Sequence, residues 1–163
     1  MGLHVIRLSS ALTLAIFCLF VVPISAASDR WRTILDSDPT LKRDASADSN
    51  GNPGFATPRI HGTGTAGSYD GPASVKSGIS GGSRLVAIPL DSGGSIGLAG
   101  WLIYRIGQPR HIAVLSGSNG LRFVHGLIET DDRVGDSTAG NSEKQHRHTR
   151  YRYNGTALAH VRS

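Results

Sequence analysis

The strongest structural signal in the chain is the segment Thr149-Arg-Tyr-Arg-Tyr-Asn-Gly-Thr-Ala-Leu-Ala-His-Val161, near the C-terminus. Asn154-Gly155 lies between two alternating runs, which is a strong hairpin signal because a type I′ turn needs positive φ at both central residues. A two-residue loop would pair Tyr153 with Thr156, Tyr151 with Leu158 and Thr149 with His160. The sequence therefore predicts a tight C-terminal β-hairpin in this register.

The two faces of this hairpin differ in chemistry, because side chains alternate across a strand. Tyr151, Tyr153 and Leu158 share one face, which we interpret as the core side. The other face carries the predicted anion-binding residues, His146, His148, Arg150 and Arg152. The sequence thus predicts tyrosines directed inward and a basic stripe in solvent.

Upstream of the hairpin, dense β-like runs begin at residue 83. Strand candidates lie at 84–90, 98–106, 110–115 and 121–130, with Gly126 as a candidate break in the last one. Short turns without helical spacers join them, which favours an antiparallel meander. The runs 98–106 and 110–115 are apolar on both faces, so a second layer must cover them. We expect a mainly β fold, a small sandwich or partly open barrel. A short N-terminal helix containing Trp31 is a further candidate for the cover.

The composition divides the rest of the chain. Residues 1–27 have the pattern of a signal peptide, with an apolar run from Ala11 to Val22 and small residues before a cleavage site near Ala27. Residues 28–36 fit a short helix or a flexible start, 37–82 a flexible Gly/Ser-rich linker, and 83–163 the β-domain. The expected location is secreted or periplasmic, with a membrane anchor as the alternative if the segment stays uncleaved.

Cleavage would also change the charge and the redox chemistry. The formal charge of the whole chain is +5, and losing Arg7 leaves +4. The single cysteine, Cys18, would be lost too. The mature chain would then have neither a disulfide nor a catalytic thiolate.

Several short motifs together resemble a known family. They are a Gly-Gly loop before Trp101-Leu-Ile-Tyr104, a partner strand with Arg110-His-Ile112, a Gly135-Asp136 loop, and Tyr151-Arg-Tyr-Asn-Gly-x-x-Leu158. Over residues 83–162 the chain resembles small exported bacterial domains of the LppP/LprE lipoprotein type. The resemblance implies an envelope or secreted location, and it brings no catalytic residue.

A serine nucleophile is one alternative function. Gly93-Gly-Ser95-Ile-Gly97 matches the G-x-S-x-G pattern, and Asp132 or Asp136 and then His146 or His148 follow in the order of α/β-hydrolases. Such a serine needs a sharp strand-to-helix turn, whereas the residues after Ser95 favour a strand. The sequence therefore favours a non-enzymatic protein, with no catalytic residue assigned.

A histidine metal site is the other alternative. His146 and His148 lie two apart on a strand and could both reach one ion, with a third ligand from Asp131, Asp132, Asp136 or Glu143. Arg150 shares their face and would repel a metal ion, so we assign neither a metal nor another cofactor.

The basic stripe is the stronger candidate. Cationic side chains along a sheet face attract phosphate polymers, and imidazoles add charge below about pH 6.5. The sequence thus predicts an exported binding or accessory module with an anionic envelope polymer as its partner.

Overall fold

Two antiparallel sheets and one short helix make up the described part of the chain. The computed structural model describes residues 29–57, 65–92, 98–116, 120–134 and 145–162, without the side chains of 98–99, 133–134 and 145–146. The elements are α1 (Arg30–Ser37), β1 (Lys42–Arg43), β2 (Gly54–Ala56), β3 (Ala66–Ser68), β4 (Lys76–Ser80), β5 (Ser83–Asp91), β6 (Leu98–Arg105), β7 (His111–Leu115), β8 (Gly120–Val124), β9 (Leu127–Val134), β10 (Gln145–Tyr153) and β11 (Leu158–Val161). The mainly β prediction is confirmed, and the sheets do not close into a barrel.

The first sheet is the middle layer of the fold. Its strands follow the order β1-β2-β3-β5-β6-β7, and β4 also pairs with β5. The central strands β5 and β6 bury side chains on both faces, with Leu85 and Ile103 in one core and Ile88 and Leu102 in the other. This explains why these runs lack polar alternation, since both faces are covered.

Helix α1 covers one face of this sheet. Asp29 caps the helix by accepting hydrogen bonds from the backbone amides of Trp31 and Arg32. Leu35 is buried against the sheet, and Trp31 and Ile34 pack partly against the same core. An eight-residue helix is marginal in isolation, so this packing stabilises it.

The second sheet covers the opposite face and has the order β11-β10-β9-β8. Its inner side chains pack on the first sheet in a core formed by Leu85, Ala87, Trp101, Ile103, Leu115, Leu121, Ile128 and Tyr153. The first sheet is therefore covered on both faces, by the second sheet on one side and by α1 on the other, and the sequence predicts both of these layers.

The C-terminal hairpin exists, but its register differs from the two-residue prediction. Tyr153 pairs with Leu158 and Tyr151 with His160, so the loop has four residues. The Asn154 side chain accepts hydrogen bonds from the amides of Thr156 and Ala157. Gly155 has a positive φ of 99° but Asn154 does not, so the loop is not the predicted type I′ turn. The shift is two residues, an even number, so every side chain keeps its predicted face.

Two-residue turns with positive φ at both positions occur elsewhere. Gly81 and Gly82 have φ of 55° and 75°, and they connect β4 to β5. His125 and Gly126 have φ of 49° and 76°, and they split the predicted strand 121–130 into β8 and β9.

Residues 37–82, expected to form a flexible linker, contribute four strands to the first sheet. Phe55 and Tyr69 from this segment are buried in the core beneath α1. Sparse apolar residues suffice here because backbone pairing with neighbouring strands satisfies the polar groups. The first sheet therefore extends beyond the expected domain 83–163. The expected signal peptide, 1–27, lies outside the described residues.

Candidate functional site

The solvent-facing side of the second sheet carries the predicted basic stripe. We call it the outer face, and its described polar side chains are Arg122, Glu129, Asp131, His148, Arg150 and Arg152. The side chains of Arg122, His148 and Arg150 are 70%, 66% and 50% exposed. Tyr153 is buried on the inner side and Tyr151 is half-buried there, as predicted.

Glu129 lies between two arginines on this face. Its carboxylate accepts hydrogen bonds from the Nε of Arg122 at 2.8 Å and the Nε of Arg150 at 2.9 Å. The bond from Arg122, reinforced by the charges of both guanidiniums, lowers the pKa of Glu129 despite its partial desolvation. The sequence argument missed Glu129 because its position opposite Arg150 follows only from the β9–β10 register.

These acidic residues partly neutralise the stripe. Among the described side chains of the outer face, three guanidiniums against two carboxylates leave one net positive charge, before any contribution from His148. Within the described residues, Arg152 forms no ion pair. The outer face is therefore a mixed-charge surface with a cationic excess, rather than an unbroken basic stripe.

A shallow cleft of about 270 Å³ lies on the outer face. Its lining includes Arg122, Glu129, Asp131 and His148. His148 Nδ1 lies 3.8 Å from an Asp131 carboxylate oxygen. The cleft thus presents a guanidinium, an imidazole and two carboxylates. A ligand with phosphate and hydroxyl groups would suit this chemistry.

The histidines do not form a metal site in the part of the chain that the structure describes. No group of three His, Cys, Asp or Glu residues there could hold an ion. His160 faces away from His148, and its ring lies edge-on to Tyr151 with the centroids 6.0 Å apart. The side chain of His146, and the candidate ligands Asp136 and Glu143, lie outside the described residues.

Only some residues of the predicted serine hydrolase site lie in the part of the chain that the structure describes. Ser95 and Asp136 lie outside the described residues. Asp132 pairs with Arg147 whereas His148 pairs with Asp131, so Asp132 and His148 lie on opposite faces of the sheet. The structure therefore does not bring this Asp–His pair together.

A second polar cluster lies between α1 and the β6–β7 edge of the first sheet. Asp38 Oδ2 accepts hydrogen bonds from the Tyr104 hydroxyl at 2.8 Å, the His111 amide at 2.9 Å and His111 Nδ1 at 2.8 Å. Asp38 Oδ1 accepts from the amide and hydroxyl of Thr40, at 2.9 and 2.6 Å. The carboxylate thus receives five hydrogen bonds, and its side chain has no exposed surface.

These hydrogen bonds control the ionisation of Asp38. Burial by itself raises the pKa of this carboxyl, but the bonds from the Thr40 and His111 side chains and backbone amides outweigh it and lower the pKa to about 2. The Thr40 hydroxyl, which donates to Asp38, belongs to the same cluster. We interpret the cluster as a structural contact that holds the end of α1 against β6 and β7. No local sequence pattern predicts this cluster, because its members are up to 73 residues apart.

Comparison with protein-family models, curated protein sequences and solved structures finds no match for this chain. In the described residues, no helix has the length and apolar character needed to cross a membrane.

Proposed function

We propose that this protein is an exported, non-enzymatic binding module whose outer face binds anionic polymers, such as a phosphate-rich polymer of the cell envelope. The observation that supports the proposal is the clustering of three arginines and His148 on one open sheet face. All four side chains are exposed, and two of them, Arg122 and His148, line the cleft.

The arginines in the ion pairs on this face can exchange their carboxylate partner for a phosphate of the ligand. The side chains of Arg122 and Arg150 are 70% and 50% exposed, so a phosphate can reach both guanidiniums from solvent and replace Glu129 as their partner. Glu129 also holds Arg122 and Arg150 on either side of itself, which limits the side-chain entropy lost on binding. Arg152 adds a cation on the same strand.

The test is the salt dependence of polyphosphate binding. We expect wild-type protein to bind inorganic polyphosphate with an affinity that falls steeply between 50 and 200 mM salt. Replacing Arg122 and Arg150 by Gln should weaken binding about tenfold or more and reduce the salt slope by about 2, because each lost phosphate contact removes about one unit. Isothermal titration calorimetry at several salt concentrations measures both quantities.

The chain supplies a matched control. Arg32 and Arg43 flank Asp36 at a site away from the outer face, with nitrogen–oxygen distances of 3.9 and 2.5 Å, as Arg122 and Arg150 flank Glu129. The Arg32→Gln, Arg43→Gln variant loses the same charge and should bind like wild type. Equal losses in both double variants, or salt-independent binding, would contradict the proposal.

A further inference from the structure

An apolar cleft separate from the outer face lies between α1 and the end of β6. It has a volume of about 140 Å³. Trp31, Ile34, Val86, Tyr104 and Ile106 supply its apolar lining. Val86 and Tyr104 are buried at its base, whereas Ile106 is 54% exposed, so the cleft opens to solvent beside Ile106.

Two arginines also line this cleft. Arg30 and Arg105 are both exposed, one on the helix and one at the end of β6. Arg105 pairs with Leu85, so its side chain leaves the sheet on the face away from α1, whereas Arg30 lies beside the cleft. The Arg30 guanidinium lies over the Trp31 ring, 4.1 Å from the ring centroid, which holds the charge against the apolar wall.

The charges of these arginines are not balanced by the described residues. Within that part of the chain neither Arg30 nor Arg105 forms an ion pair, whereas Arg32, two positions further along α1, lies 3.9 Å from Asp36. Pockets for small ligands are mainly apolar with a few polar groups that fix orientation, and this cleft has that composition.

We propose that the cleft binds an amphiphile with an anionic head group and a short apolar chain. The chain enters between Trp31 and Ile106, and the head group accepts hydrogen bonds from the Arg30 guanidinium. Because a water occupies about 30 Å³ of liquid, the cleft holds roughly five methylene-sized groups. A medium-chain fatty acid and a lipid phosphate share this chemistry.

The experiment titrates the purified protein with octanoate and follows its backbone amides by NMR. We expect saturable shifts of the amides of 30–34 and 104–107, with the amides of β10 unchanged. A parallel titration with octyl phosphate compares a phosphate head group with the carboxylate of octanoate. The ligand that binds more tightly identifies the preferred head group. Octanol, octylammonium and acetate should each bind at least tenfold more weakly, since each lacks the negative charge or the chain.

Three substitutions at exposed positions test the contacts without disturbing the core. Arg30→Gln should weaken octanoate binding about tenfold, Arg105→Gln should leave it nearly unchanged, and Ile106→Gln should weaken it several-fold by removing apolar contact. Arg32→Gln, on the same helix but outside the cleft, should bind like wild type.

Several outcomes would overturn this proposal. They are the absence of octanoate-dependent shifts at 30–34 and 104–107, equal binding of octylammonium, and an equal effect of Arg32→Gln. Shifts that appear only on β10 would overturn it too, and they would instead support anion binding by the outer face.

Discussion

At the scale of single residues, Asp38 combines two roles that are usually separate. It ends α1, where its backbone amide donates to Leu35, and Pro39 follows it. Its carboxylate also bridges to Tyr104 and His111, on two strands of the first sheet. A buried charge is tolerated here because five donors replace the water that it loses.

Replacing Asp38 by Asn should therefore destabilise the protein by about 2–3 kcal/mol at pH 7. The folded-state pKa, about 2, lies below the unfolded value of 3.8. The stabilisation is thus complete above about pH 4 and is lost as the pH falls toward 2. Urea unfolding from pH 7 to pH 2 should show the difference between wild type and variant shrinking in that window.

The control for this substitution is Asp44→Asn. Asp44 also accepts hydrogen bonds from a nearby amide and hydroxyl, those of Ser46, but at an exposed turn. Its loss should cost less than about 1 kcal/mol. A pH-independent difference for Asp38→Asn would show that the charge of the carboxylate is not what stabilises the fold.

At the scale of elements, the turns decide how the two sheets meet. The Gly81-Gly82 turn of the β4–β5 hairpin lies against β10, where a Cβ on Gly81 would come within 1.7 Å of the Tyr153 carbonyl oxygen. The neighbouring Ser80 hydroxyl accepts a hydrogen bond from the Tyr153 amide at 3.1 Å. Residues Ser80 and Gly81 therefore join the first sheet to the C-terminal hairpin.

Substitution of Gly81 by Ala should reduce the free energy of unfolding by about 3 kcal/mol or more, because the added methyl group collides with backbone and φ is also positive. Gly82→Ala is the matched control. It has a φ of 75° but nothing within 4 Å of the added atom, so only about 1 kcal/mol of backbone strain is expected. Thermal unfolding compares them, and similar losses would rule out the sheet-to-sheet contact as the cause.

Local patterns predicted some of these elements and missed others for physical reasons. The alternation around Tyr151 and Tyr153 predicted the hairpin and its faces, since burial of one face survives an even shift of register. The sequence does not predict the Gly81-Gly82 turn, because the strand before it contains only one large apolar residue, Ile79, which is 55% exposed. Glu129 and Asp38 gain their partners from residues distant in sequence, so no local pattern identifies them.

At the scale of the whole molecule, the fold is a three-layer arrangement in which the first sheet depends on both covers. The composition of 37–82 predicted a linker, yet its strands and α1 enclose the core that contains Phe55 and Tyr69. The boundary expected at residue 83 divides the first sheet, since β3 and β4 pair with β5 across it.

A fragment of residues 83–163 should therefore fail to fold, whereas 29–163 should fold. Removing α1 and β1–β4 would expose one whole face of the first sheet, whose side chains at Val86, Ile88, Leu90, Leu102 and Tyr104 are at most 2% exposed in the intact chain. At about 25 cal/mol per Å² of apolar surface, five such side chains represent several kcal/mol, comparable with the total stability of a small domain. Backbone NMR spectra and thermal unfolding of the two fragments decide the matter. A dispersed spectrum with a cooperative transition for 83–163 would show that the second sheet alone supports β5–β7, and that the N-terminal layer is an accessory rather than part of the core.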